Sequence, residues 1–154
     1  MANFFLGNTP ANTMATHLSS TYFSGTAVQL VIFGGTQPPN ATYPCNTDQP
    51  PLVNTVANPI LATFTLPSGS VANNVLTLSA VSSVTAIATG TATWFRVLNG
   101  ATFTNPNKFN AIGTTICDGS VSATGGGGDL QIATTSIVAN ATVAVSSFTY
   151  TVQQ

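Results

Sequence analysis

The run ATVAVSSFTYTV, residues 141–152, sorts its side chains into two alternating sets. Val143, Val145, Ser147, Thr149 and Thr151 oppose Ala144, Ser146, Phe148, Tyr150 and Val152. A period of two places such sets on opposite faces of a strand, and β-branched and aromatic residues suit that pleated surface. The texture recurs in TAVQLVIFGG, ILATFTL, VLTLSAV, VTAIATGTATWFRVLN, TTICDGSVSAT and DLQIATT, separated by turn formers such as PSGS and the flexible run GGGG. VTAIATGTATWFRVLN reads as one long strand or as two broken near Gly90. The expected fold is therefore mainly β, an antiparallel β-sandwich (Ig-like or jelly-roll-like) of seven or eight strands. No heptad, solenoid or propeller period is present.

One short helix is expected before the strands, from Thr9 to about Phe23. Thr9 can cap it, Pro10 suits its first position and Gly25 follows its end. Met14, His17, Leu18 and Tyr22 would share its apolar face. Upstream, Phe4, Phe5 and Leu6 form an arm too short to bury itself, suited to insertion into a neighbour. Between the first two strands, TQPPNATYPCNTDQPPLVNTVANP carries six prolines. Proline cannot donate to a ladder, so this segment reads as a loop that reaches a partner, with Tyr43 as a contact. The domain reading is an arm and helix over residues 1–25, then a sandwich over 26–154 with the proline-rich loop at 36–59. ATFTNPNKFNAIG reads as a further hairpin excursion.

Charge is nearly absent: Arg96 and Lys108 are the cations, Asp48, Asp118 and Asp129 the acids, in 154 residues. Ordinary soluble domains carry roughly 25% charged residues against 3% here. Such a chain lacks the basic footprint that nucleic-acid binding needs. It also lacks an apolar run of the roughly 18 to 20 residues that a membrane helix requires. The start, MANFFLGNTPANTMATHL, has no basic segment followed by an apolar stretch, so synthesis in the cytoplasm without an export signal is expected. Cys45 and Cys117 match no zinc spacing and leave two readings open, a single bridge closing a long loop or two separate thiols.

The chemistry-bearing residues are correspondingly few. Acid/base catalysis draws on three aspartates, His17 and no glutamate. Asp118 and Asp129 sit beside glycines and read as turn and loop-edge residues before they read as a glycosidase pair. A serine triad would have to recruit His17 from the helix, and no GxSxG motif is present. GGGGD precedes a strand and has no lysine, unlike a phosphate cradle. No enzyme activity, cofactor or metal is expected. The NAT sequons at Asn40 and Asn140 read as chance matches, and the threonine triplets lack the regular repeat of an ice-binding face.

Arg96 needs a structural reason. In TATWFRVLNG, Trp94 and Arg96 fall on one face of a strand, with Phe95 and Val97 on the other. An isolated buried arginine is costly. Arg96 is therefore expected to reach Asp118 or Asp129 on a neighbouring strand, a charge pair that fixes register beside the Trp94 ring.

The second half of the chain carries a G-x-A-x-W-F-R strand in TGTATWFRVLNG, a D-G-S-V strand in ICDGSV, a short D-L strand after the glycines, and a closing strand of alternating valines ending in S-F-T. This order, over roughly residues 88 to 152, resembles small virion-associated proteins of tailed bacteriophages and prophages. The resemblance implies a structural virion protein, expected to be a capsid decoration or cement protein on the outer shell surface that stabilises the shell by bridging capsomers. Its partners would be the major capsid protein and copies of itself, as a trimer first and a dimer next. A tail location, as a tail-tip or fibre-associated protein contacting the host, is the alternative within the virion. A carbohydrate-binding sandwich module, using Trp94 with Tyr43 or Tyr150 as an aromatic platform, is the alternative outside it.

Overall fold

A computed structural model describes residues 8–23, 28–37, 58–79, 81–99, 114–145 and 147–151. The arm residues Phe4, Phe5 and Leu6, the loop residues Tyr43 and Cys45, and residues 100–113 lie outside them. Among the described residues the protein is mainly β, rich in antiparallel pairing, with one helix. The elements run α1 (Asn8–Tyr22), β1 (Val28–Phe33), β2 (Ile60–Thr65), β3 (Ser70–Ala72), β4 (Val75–Ser79), β5 (Val84–Thr85), β6 (Gly90–Thr91), β7 (Trp94–Asn99), β8 (Thr114–Ala123), β9 (Leu130–Ile132), β10 (Ser136–Ile137), β11 (Thr142–Val143) and β12 (Ser147–Thr151). These strands outnumber the seven or eight expected, because two of the long alternating runs break into pieces and the short strands β3 and β10 form outside the expected runs.

The largest sheet has the order β2-β1-β7-β8-β9. Strands β1 and β7 lie inside it, and their sequences alternate two apolar sets instead of an apolar and a polar one. Leu30, Ile32, Phe95 and Val97 enter the main core, whereas Val31, Phe33, Trp94 and Leu98 form a second buried cluster with Ile60. A strand buried on both faces needs both sets apolar, as VQLVIF supplies. Two bulges bend this sheet. On β2, Ile32 pairs with Ala62 and Phe33 with Ile60, which leaves Leu61 as the extra residue. On β8, Val97 pairs with Cys117 and Leu98 with Thr115, which leaves Ile116 extra.

A second sheet, β12-β4-β3, contributes Leu76, Leu78 and Phe148 to the main core. Phe148 meets Phe95 edge-on at 6.1 Å and Phe23 at 6.4 Å, so one aromatic ring links the two sheets and the end of the helix. The β3–β4 hairpin turns through Asn73 and Asn74, both at positive φ, the two-residue turn that matches strand twist and that asparagine tolerates.

The helix begins one residue before the expected cap, placing Thr9 and Pro10 in its first turn, where proline's missing N–H costs nothing. Its buried face also differs from expectation. Ala11 and Ala15 are fully buried and Leu18 half-buried, whereas Met14 and His17 are exposed. The reason is closeness. Small side chains let α1 settle against β3 and β4, where Asn12 Oδ1 accepts a hydrogen bond from the Asn74 backbone N–H at 3.3 Å.

Residues 84–92 and 135–143 make a separate antiparallel ribbon. Val84 pairs with Val143, Thr85 with Thr142, Gly90 with Ile137 and Thr91 with Ser136, so the register is the same on both sides of a central break. At the break the Ile87 N–H leaves the ribbon and donates to the carbonyl of the bulged Leu61 at 2.8 Å, tying the ribbon to the edge of β2. The Ala139 N–H donates to Thr89 Oγ1 at 2.9 Å in place of a ladder bond. VTAIATGTATWFRVLN thus yields three strands. The closing run also splits, into β11 and β12, and its buried set changes phase from Val143 and Val145 to Phe148 as the chain passes from ribbon to sheet.

The last departure is β9, which lies parallel to β8. Parallel neighbours ordinarily need a crossover of a dozen or more residues, and here residues 124–129 suffice. The glycine run makes this return possible and is not a flexible spacer. Gly125 sits at φ +85°, and a Cβ on Gly126 or Gly128 would lie 2.7 Å from Ser122 atoms, whereas Gly127 faces open space. The Gly128 N–H donates to Ser122 Oγ at 3.0 Å, and Gln131 closes the loop through Gly125 N–H and Gly126 C=O. Gly128→Ala, which sets a methyl against Ser122 backbone, is expected to lose roughly 1–3 kcal/mol of stability. Gly127→Ala is expected to be neutral or to gain up to about 1 kcal/mol by restricting the unfolded chain. Denaturant melts of the two variants, side by side, check the contrast.

Candidate functional site

Of the residues singled out in the sequence, Trp94, Arg96, Cys117 and Asp118 lie on β7 and β8. Arg96 and Asp118 are direct partners across the two strands. Arg96 Nη2 donates to Asp118 Oδ2 at 2.6 Å, with the two side chains only 9% and 10% exposed. Alternation also places Trp94 beside Arg96, and the guanidinium carbon lies 5.5 Å from the centre of the indole ring. The indole stacks on its cross-strand partner Phe33 at 4.1 Å and 7°, while Nε1–H donates to the Gly34 carbonyl at 3.2 Å. Arginine, tryptophan and phenylalanine therefore form one packed unit. The tryptophan face is fully buried, which removes it as an aromatic platform for a sugar.

Asp129 does not share in this unit. Its Oδ2 accepts from the Ser120 backbone N–H at 2.9 Å and from Ser120 Oγ at 2.7 Å. These two donors, the backbone one foremost, hold its carboxyl below the usual value, and the side chain stays exposed. The DGS tripeptide thus divides three tasks. Asp118 neutralises Arg96, Ser120 holds Asp129, and Gly119 between them makes room: a Cβ there would lie 2.9 Å from both Phe95 and Asp129. Phe95 lies directly opposite Gly119, an aromatic ring covering the gap that glycine leaves in a strand.

Cys117 carries a free thiol, packed against the main core. Burial, and secondarily the Asp118 carboxylate beside it, push its pKa up to about 12. Such a thiol stays protonated and is a poor nucleophile or metal ligand. Among the described residues, no three His, Cys, Asp or Glu side chains gather as a metal site, and no helix is long and apolar enough to cross a membrane. His17 is exposed on α1, with Nε2 3.4 Å from Thr21 Oγ1, on a different element from either described aspartate.

A cleft of about 360 Å³ opens between α1 and the segment leading into β3, lined by Thr16, Ser19, Ser20, Phe23, Ser68, Gly69 and Val71. It offers hydroxyl groups over an apolar floor and no titratable side chain. Sequence pattern did not single it out, because its walls come from residues about 50 apart that carry no motif.

Comparison with protein-family models, with curated proteins and with solved structures finds no match to this chain.

The charge pair is testable by its asymmetry. Arg96→Met leaves Asp118 nearly buried without its cation and is expected to cost about 3–5 kcal/mol, whereas Arg96→Met combined with Asp118→Leu is expected to recover most of that loss. Chemical denaturation of the single and double variants checks it. Cys117 gives a pH signature. Its folded pKa lies above its ordinary value of 9.0, so its contribution is complete below about pH 9 and is lost as pH rises toward 12. Stability should therefore fall above about pH 9 with a slope of up to about 1.4 kcal/mol per unit, and Cys117→Ala should flatten that slope.

Proposed function

We propose that this chain is a structural protein of a tailed-phage virion, acting as a capsid decoration protein that bridges capsomers on the outer shell. The observation that carries the reading is the neutrality of the described surface. Arg96 is spent internally on Asp118, so Asp129 is the one exposed, formally charged side chain among the described residues. A surface of threonine, serine, asparagine and alanine associates through hydrogen bonds and packing, which salt screens little. It lacks the electrostatic steering and repulsion on which freely diffusing proteins draw. The order of W-F-R, D-G-S-V and D-L motifs supports the same reading. The five-stranded and three-stranded sheets, which share one core, support its β-sandwich fold.

The reading makes the chain a component of purified particles at high copy number. Immunogold labelling with an antibody to the chain should mark heads uniformly, and the label should survive washing from about 0.1 M to about 1 M NaCl, where the Debye length falls from about 10 to 3 Å. Label confined to one end of the tail would replace the shell role with the tail role. Absence of the chain from purified particles would sink both.

A further inference from the structure

We propose that the exposed side of the ribbon formed by residues 84–92 and 135–143 is a contact between copies of this chain. Exposure alternates along residues 84–92 without changing phase at the break, and along residues 135–143 except at Ala141, which is also exposed. Thr85, Ile87, Thr89 and Thr91 are exposed, as are Ser136, Val138, Asn140 and Thr142, while Ala86, Ala92, Ile137 and Val143 are buried on the other side. Ile87 is 51% exposed and Val138 57%, and with Met14 on α1 they are the large apolar side chains exposed on the described surface. Two of those three thus lie on facing three-residue stretches of one ribbon, held together by the Ala139 N–H bond to Thr89 Oγ1.

Two arguments select a second copy as the occupant. The ribbon's exposed side carries no formal charge, so a partner that brought a charged group against it would lose hydration and gain no counter-charge. Another copy of the same side brings none. The geometry is also reciprocal: a two-fold axis lying between two such ribbons sets Ile87 of each copy over Val138 of the partner subunit, so both aliphatic side chains leave water in each copy. Size fixes the strength. Nine residues of two-stranded ribbon present on the order of 300 Å² per copy, about 600 Å² in total, below the roughly 1,200 Å² of a stable complex. The contact is weak one to one, and it gains from multiplicity when many copies are held side by side on a surface. It deepens the assembly reading and rests on that reading for the multiplicity.

Sedimentation equilibrium of the full chain from about 10 µM to about 1 mM tests it, a range that covers weak association. The average mass is expected to rise with concentration. Ile87→Thr combined with Val138→Thr, which keeps β-branched side chains at exposed positions, is expected to raise the dissociation constant at least tenfold. Met14→Gln, which removes the third exposed apolar side chain, should leave it unchanged. Trp94 fluorescence, unaltered in each variant, reports that the fold is intact. A chain that stays monomeric up to about 1 mM, or a double variant that associates like the parent, overturns the proposal. Co-sedimentation with empty shells separates it from the decoration reading. Self-association that depends on Ile87 and Val138 without shell binding upholds the ribbon contact and defeats the shell role, and shell binding by a strictly monomeric chain does the reverse.

Discussion

One ion pair governs how the largest sheet is assembled. Arg96 and Asp118 face each other across β7 and β8, nearly buried. A one-residue slip would set Arg96 against Gly119 or Cys117 and bury two uncompensated charges, at several kcal/mol each, far more than one ladder contact contributes. The register that the pair selects fixes the neighbouring contacts as well. It puts Phe95 over Gly119, which leaves room for Asp129, whose carboxylate bonds to Ser120. Asp129 immediately precedes β9, so the parallel return of the chain beside β8 is anchored at the same point.

Around that sheet the structure solves the problem of edges. The outer edge of β2 does not offer a continuous template for pairing, because the Leu61 bulge disrupts it and turns a carbonyl toward the Ile87 N–H. β9, at the opposite edge, is only three residues long. A chain with so few charges cannot place lysines along its edges to discourage pairing with other chains, so bulges, short strands and covering segments take over that task.

The sequence showed much of this. Mainly β structure, a leading helix, and a two-faced strand at Trp94 to Val97 emerge from periodicity and capping residues alone, and the need of a lone arginine for a carboxylate names Asp118 or Asp129. Other features were harder to read. The helix buries Ala11 and Ala15 instead of the larger Met14, since close approach to β3 and β4 outweighs side-chain size. Asn73 and Asn74 make the hairpin turn between β3 and β4, which the strand runs read from the sequence did not single out. The hydroxyl-lined cleft beside Phe23 left no mark, because its walls share no motif.

By itself the sequence determined the alternation and a near-complete absence of charge, since these are properties of residue types and their spacing along the chain. Tertiary structure decided which aspartate takes Arg96, where the long runs break, and that a glycine run returns the chain parallel to β8. Each of those outcomes depends on a contact made only in the folded chain: Arg96 with Asp118, Ile87 with Leu61, Gly128 with Ser122. Local periodicity cannot encode such pairings, because the hydrogen bonds and close packing that settle them exist only once the strands are side by side.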